Sequence, residues 1–407
     1  MILAVGFTAQ AALAAAFMGL PSTGTALRGA YRLSDGGLGL ALGAVSLGIA
    51  VSDVAWGALT DRVGERRVLL TGLTATGTVL ALMAALAVPV GDSVPPLPVL
   101  AGGLLLVGLL GGSVNGSSGR AVMAWFPDGQ RGLAMGLRQA AVPAGGAVGS
   151  ALLPWLAVRG PVPASGFQAV FGALALLCLL AAAAAHRWLR PPREEPADPR
   201  TATAPAPSAC RSPLRSRPIW RLALSAGLLT LPQFAVLTFA GVFLDDVQHL
   251  SLGTAALAVV VVQAAGAVTR IAAGRWTDRH PGTRRRYVQV IGLATAAALA
   301  ASAALVGSSP AAVLGALVAA GILANSWHGV AYAEIARLAG RERSGTALGL
   351  ANTTVFSAGF LAPLTVPMLA ATGWPVVWAA GAAAALLAVP LVPRRDYVRS
   401  GMTGAGN

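Results

Sequence analysis

Five ionisable side chains, Asp53, Arg120, Arg138, Arg270 and Glu334, stand inside long apolar runs of this 407-residue chain. A charge at the centre of a membrane-spanning helix costs about 2.5–3.5 kcal/mol on insertion scales, so such a residue is read first as functional and needs a named partner. Asp53 precedes Asp61 by eight residues, as Arg270 precedes Asp278, which is about 12 Å along a helix. Asp53 and Arg270 are therefore expected at equivalent depths on two different helices. Two kinds of chemistry are open to them. Arg270 and Arg138 would form a cationic site for an anionic ligand, or Asp53 neutralises one arginine and the group works as a gate or an alternating salt bridge. Asp53 is also a candidate proton-carrying acid. His328 shares a helical face with Asn325 and Tyr332. Its titration near neutrality suits a coupling proton, and a hydrogen-bonded core histidine is the plainer alternative. Asn115 and Gln139 join these as candidate substrate or coupling residues. Gln10, Gln233 and Trp327 are lesser cavity-lining candidates, and Trp56 suits packing as well as lining. Arg120 and Glu334 lie near helix ends, where snorkelling or bracing of an adjoining loop is expected.

The rest of the composition excludes most other chemistry. Of the residues, 56% are hydrophobic and only 11% charged, against roughly 25% charged in soluble domains. Mean hydropathy is +0.70. Gly accounts for 50 residues, far above an average usage of about 7%, as expected where transmembrane helices approach closely. The chain reads as an all-α membrane protein rather than an enzyme. It has no catalytic triad, metal cluster or dinucleotide loop, and a phosphate-binding Gly-x-x-x-x-Gly-Lys-[Ser/Thr] loop cannot exist without lysine. No cofactor or metal is expected. An ion gradient is left as the energy source, worth about 2.3 kcal/mol per charge crossing 100 mV. Cys178, in an apolar helix, and Cys210, in a polar segment, support neither a disulfide framework nor a metal site.

The net charge of +14 would suit nucleic acid, but its placement argues otherwise. All basic residues are arginines. With alternate loops on opposite sides, only Arg28, Arg32 and Arg159 fall on one side, and Arg120, Arg138 and Arg270 lie within apolar runs. Every other arginine falls on the second side, which is thereby expected to be cytoplasmic. The first twenty residues lack the basic region of a signal peptide and read as a retained helix.

Runs of about 20 apolar residues number twelve: 2–24, 37–60, 68–90, 97–125, 132–157, 166–188, 218–244, 252–275, 287–306, 310–336, 344–370 and 375–393. The even count places both termini in the cytoplasm. Residues 189–217, rich in Pro, Ala and charge, read as a cytoplasmic linker between six-helix bundles at 1–188 and 218–393, with a cytoplasmic tail at 394–407. The two halves match. At an offset of 217, Leu33-Ser34 aligns with Leu250-Ser251, and Gly57-x-x-x-Asp61-Arg62 with Gly274-x-x-x-Asp278-Arg279. At an offset of 213, GLAMGLRQ (132–139) aligns with GTALGLAN (345–352), Asn115-Gly116 with His328-Gly329, and Pro154 with Pro367. Duplicated bundles about an axis normal to the membrane are an architecture of secondary transporters.

GALTDRVGERR (57–67) resembles the signature of the major facilitator superfamily, through Gly57, Leu59, Asp61, Arg62, Gly64, Arg66 and Arg67, with Glu65 added before the arginine pair. The second copy keeps Gly274, Asp278 and Arg279 and then degenerates. The resemblance implies a fold of twelve transmembrane helices in two pseudo-symmetric bundles. It places Asp61 beside the start of the eleventh helix near Ser344–Gly345, and Asp278 beside the fifth near Gly132, each latching one half to the other. It also brings Arg138 beside Arg270, with Arg138, Val142, Gly145 and Gly149 on one face. GLRQAAVPAGGAVG (136–149) partly resembles a drug–proton antiporter motif, keeping Pro143, Gly145 and Gly146 with Val142 in place of the first Gly.

These readings imply a monomeric secondary transporter in the bacterial inner membrane. Its partners would be the lipid bilayer, a small-molecule substrate (an organic solute, with an anion favoured) and a coupling proton. Proton-driven efflux of drugs or metabolites is the alternative. A non-transporting ligand sensor on the same scaffold is a third reading, opposed by the absence of any output domain in the linker and tail.

Overall fold

In the computed structural model, which describes residues 1–159, 163–189 and 212–393, the apolar runs become twelve helices long enough to cross a bilayer. They are α1 (Ile2–Ala30), α2 (Asp35–Val63), α3 (Glu65–Leu86), α4 (Leu97–Trp125), α5 (Asp128–Val158), α6 (Gly166–Trp188), α7 (Arg217–Asp246), α8 (Gly253–Arg279), α9 (Arg284–Leu305), α10 (Pro310–Ala339), α11 (Arg341–Ala370) and α12 (Trp374–Leu391). Among the described residues the one β pairing is an isolated bridge between Val90 and Ser93. Most of the linker read at 189–217, the tail at 394–407 and Cys210 lie outside the described residues. Cys178 is a free thiol buried in α6.

Local chemistry explains why the two halves start and stop alike. Ser34 caps α2 by accepting from the Gly37 amide at 3.1 Å, and Ser251 caps α8 by accepting from Thr254 at 3.2 Å. The Leu-Ser match at an offset of 217 is thus a pair of helix N-caps, a role for which serine is among the preferred residues. Gly64 turns the chain from α2 into α3 at φ +89°, a conformation that strains any residue with a Cβ. Gly282 does the same between α8 and α9 at φ +82°, so the degenerate second signature keeps its turn glycine. A short 3₁₀ turn, Asp128–Gln130 or Arg341–Arg343, precedes the regular parts of α5 (Arg131–Val158) and α11 (Ser344–Ala370). Three spans are interrupted: α1 by a 3₁₀ turn at Leu20–Thr23, α4 between Gly111 and Ser113, and α10 between Ser326 and His328.

The bundles meet where α2 crosses α11 and where α8 crosses α5, and glycine makes both crossings possible. A Cβ on Gly57 would stand 2.3 Å from the Gly345 carbonyl, and one on Gly349 2.3 Å from that of Asp53. At the second crossing a Cβ on Gly274 would stand 2.1 Å from the Gly132 carbonyl, and one on Gly136 2.4 Å from that of Arg270. The repeated glycines of GLAMGLRQ and GTALGLAN are these contact points. Within membranes the gain on helix association comes from close packing rather than from expelling water. The crossings also set Asp53 and Arg270 at the two seams between halves.

Gly136→Ala therefore lowers the melting midpoint of the purified protein, with overpacking costing about 1–3 kcal/mol. Gly102→Ala, whose Cβ meets nothing within 4 Å, is the comparison and leaves the midpoint unchanged or slightly raised. Equal midpoints for Gly136→Ala and wild type contradict the packing account.

Candidate functional site

Two polar layers join the halves. The first lies at the end of the molecule that carries the signature loops. The opening residues of a helix present amide N–H groups without helical partners and a partial positive charge. Asp61, near the end of α2, accepts from the Gly345 and Thr346 amides of α11 at 2.9 and 2.8 Å, and from the Thr346 hydroxyl at 2.6 Å. Asp278, near the end of α8, accepts from the Gly132 and Leu133 amides of α5 at 2.9 and 2.8 Å. Each half thus supplies the helix cap of the other.

Charged neighbours hold these acids. Arg120 lies 3.5 Å from Asp61 and donates to Glu65 at 3.0 Å and to the Thr60 carbonyl at 3.1 Å. Glu65, the residue added to the signature, is buried and so belongs to this brace. Arg284 donates to Asp278 at 2.9 Å. Glu334 accepts from Arg285 at 2.7 Å and from Arg337 at 2.8 Å. Arg66 donates to the His186 carbonyl, whereas Arg62, Arg67 and Arg279 are exposed.

The second layer lies deeper and is dry in that its charged side chains are out of reach of solvent. Asp53, Arg138 and Arg270 are each no more than 1% exposed. In the first half, Gln10 of α1 donates to the Asn115 side-chain oxygen of α4 at 3.0 Å, and Asn115 donates to Asp53 at 3.1 Å. In the second half, Gln233 of α7 donates to the Asn325 side-chain oxygen of α10 at 3.1 Å, and that oxygen accepts from Arg270 at 2.8 Å. The same Gln–Asn pair therefore recurs on corresponding helices, with the charge on the third helix reversed. Arg138 of α5 is held by the Asn115 carbonyl (2.7 Å), Gln10 (3.1 Å), Ser118 (2.8 Å) and the Gln139 side chain (3.0 Å). Arg270 crosses the seam to the Gln139 carbonyl at 2.7 Å.

Arg138 and Arg270 thus meet on Gln139 rather than on a shared carboxylate. The direct ion pair between Asp53 and an arginine, one of the two sequence readings, is not formed; Asn115 stands between Asp53 and Arg138 because its amide reaches the acid while its carbonyl takes the guanidinium. The face carrying Gly145 and Gly149 is closed against α1, at Ala11 and at Ala15 and Gly19. His328 stacks on Trp327, with ring centroids 3.7 Å apart, and lies 6.4 Å from the Tyr332 ring. Tyr332 donates its hydroxyl to the Asn352 side-chain oxygen. Trp56 donates to the Leu109 carbonyl, joining α2 to α4.

Ser118, Asn352, Thr346, Arg284, Arg285 and Arg337 complete these layers and were not singled out from the sequence. Asn352 was recoverable, since it is Gln139's counterpart at the offset of 213. The arginines carried no signal beyond their side of the bilayer.

The family model of the Major Facilitator Superfamily matches residues 3–363. This chain belongs to the major facilitator superfamily. Two uncharacterized MFS-type transporters from strains of Mycobacterium tuberculosis are each 37% identical to it over 362 residues, covering 88% of this chain and 76% of theirs. Among solved structures, the proton:xylose symporter XylE superposes with a TM-score of 0.77 at 17% identity, over 96% of this chain and 95% of that one. FucP in an outward conformation gives 0.69 at 15% identity, over 96% and 98%. The human organic anion transporter MFSD10 gives 0.69 at 17% identity, over 96% and 99%. At these identities the structural matches establish the fold of this superfamily member. Members of the superfamily are membrane transporters of small molecules rather than enzymes, and this one is a multi-pass membrane protein.

Asn115→Leu strands Asp53 and Gln10, and an orphaned buried charge costs more than the ~1–3 kcal/mol of a neutral group. A cycle with Asp53→Leu, read from melting midpoints, is expected to show a coupling of about 0.5–3 kcal/mol. Additive midpoints would mean that the two residues do not act together.

Proposed function

We propose that this superfamily member is a proton-coupled secondary transporter of a small organic solute, preferentially an anion, working by alternating access. One observation carries the reading: the dry layer at the seam between bundles contains two arginines and a single carboxylate. Arg270 binds only neutral oxygens there. An uncompensated guanidinium held away from water favours a ligand that brings negative charge. Asp53, linked to Arg138 through Asn115, is the acid in reach of that layer and the proposed proton carrier. The arginine-rich end faces the cytoplasm by the positive-inside bias, which places both termini there, in the bacterial inner membrane. The protein is proposed to act as a monomer with domains at 1–188 and 218–393.

Asp61 and Asp278 act in this scheme as clasps that hold the cytoplasmic end shut and release for inward opening. Such contacts suit a switch, because a carboxylate at a helix start is worth up to about 2 kcal/mol when partly buried, enough to hold the end shut and small enough to release.

Proteoliposomes with an imposed proton gradient test the function. Movement of radiolabelled organic anions, lost in Arg270→Gln, supports the proposal. Movement of cationic dyes alone identifies an efflux antiporter, and ligand binding without any flux identifies a sensor. The clasp is tested separately by a reporter cysteine at Leu348, which is fully buried between α4 and α11, with Cys178 and Cys210 replaced. Asp61→Asn inserts normally and raises alkylation of the reporter from the arginine-rich side several-fold. Unchanged alkylation rules out the clasp.

A further inference from the structure

Besides the reversed charge, the two halves of the dry layer differ in whether their hydrogen bonds are complete. In the first half, Gln10, Asp53, Asn115, Arg138 and Gln139 leave no buried side-chain nitrogen or oxygen without a partner. In the second half, three of the unpartnered atoms belong to residues linked to Arg270 or Tyr332: the Gln233 oxygen Oε1, the Trp327 indole nitrogen Nε1 and the Asn352 amide nitrogen Nδ2. Their residues are between 0% and 3% exposed. Buried polar atoms without partners are rare in native proteins and call for an explanation.

The three are knit into one cluster. Gln233 hydrogen-bonds Asn325, which also holds Arg270. Trp327, at the interruption of α10, lies two residues further on, and its ring is 6.4 Å from that of Tyr332. Tyr332 hydrogen-bonds Asn352. Arg270 belongs to the same cluster with N–H groups to spare. Its Nε, Nη1 and Nη2 each make one bond, whereas a guanidinium has five N–H groups.

The unmatched atoms are of complementary kinds. Trp327 Nε1, Asn352 Nδ2 and the spare Arg270 groups are donors, and a donor set that includes a guanidinium is the composition that receives a carboxylate. Gln233 Oε1 is an acceptor. It is a neutral amide oxygen, and the charged group that shares its hydrogen-bond partner Asn325 is the Arg270 guanidinium. It therefore suits a hydroxyl group rather than an ammonium group, which would demand a charged partner when buried.

We propose that the second bundle, through Arg270, Trp327, Asn352 and Gln233, recognises a hydroxylated carboxylate. The first bundle's satisfied network, around Asp53 and Arg138, contacts the ligand little and serves coupling. The proposal rests on the transport reading above and adds to it the substrate class and a division of labour between bundles.

The test is ligand binding to the full-length protein in nanodiscs, measured by thermal shift and calorimetry with gluconate, hexanoate and sorbitol as probes. Gluconate stabilises the wild-type protein, and hexanoate and sorbitol bind at least tenfold more weakly. Trp327→Phe keeps an aromatic ring in the stack and removes the N–H together with the rest of the indole. It raises the Kd for gluconate about tenfold and, because the side chain is fully buried, lowers the melting midpoint without ligand, while the weak binding of sorbitol, which has no carboxylate, is unchanged. Gln233→Leu narrows the gap between gluconate and hexanoate. Sorbitol or hexanoate binding as well as gluconate, no gluconate binding, or unchanged affinity in both Trp327→Phe and Asn352→Leu overturns the proposal. Gluconate binding with these dependences but no proton-driven flux leaves the recognition site standing and removes the transport reading instead.

Discussion

The arrangement depends on one interaction made twice: a carboxylate at the end of one helix capping the open start of a helix in the other bundle. The amides of Gly345 and Thr346, and of Gly132 and Leu133, would otherwise lie at a helix start with no internal partner. Asp61 and Asp278 supply what they lack at 2.8–2.9 Å. The contact requires the backbones to come almost into touch, which explains why glycine occupies positions 57, 132, 274 and 345. Acid and glycine are two halves of one requirement. The first supplies the bond, and the second permits the distance.

The same crossings carry consequences inward. Gly349 presses on the Asp53 carbonyl and Gly136 on that of Arg270, one helical turn beyond the clasp glycines. The charged residues of the dry layer are therefore positioned by the helices that carry the clasps. A change in the tilt of α2 against α11, or of α8 against α5, displaces both layers together. In the proposed transport cycle, this linkage is what would couple the contacts at one end of the molecule to a ligand in the middle.

Inverted charge in a duplicated frame gives the layer its character. The two Gln–Asn pairs are nearly superimposable in chemistry, yet Asn115 donates to Asp53 where Asn325 accepts from Arg270. An amide can serve either sign, because it carries both a donor and an acceptor. Duplication supplied one scaffold, and a change of charge at a single position on α2 and α8 made the halves unlike.

Much of this was legible in the residues alone. Apolar run lengths dictate the helices, because a bilayer leaves backbone groups no partner except within a helix. The offsets of 217 and 213 revealed the duplication, and the cost of a buried charge marked Asp53, Arg138 and Arg270. Folding in three dimensions settled the partners. Asn115 rather than an arginine meets Asp53, Gln139 collects both guanidiniums, and Glu65 turns out to brace Arg120, since side-chain pairing depends on how helices are rotated about their axes. Hydropathy constrains that rotation only on the lipid-facing side. Within the seam, where every helix is surrounded by others, it follows from packing between residues hundreds of positions apart.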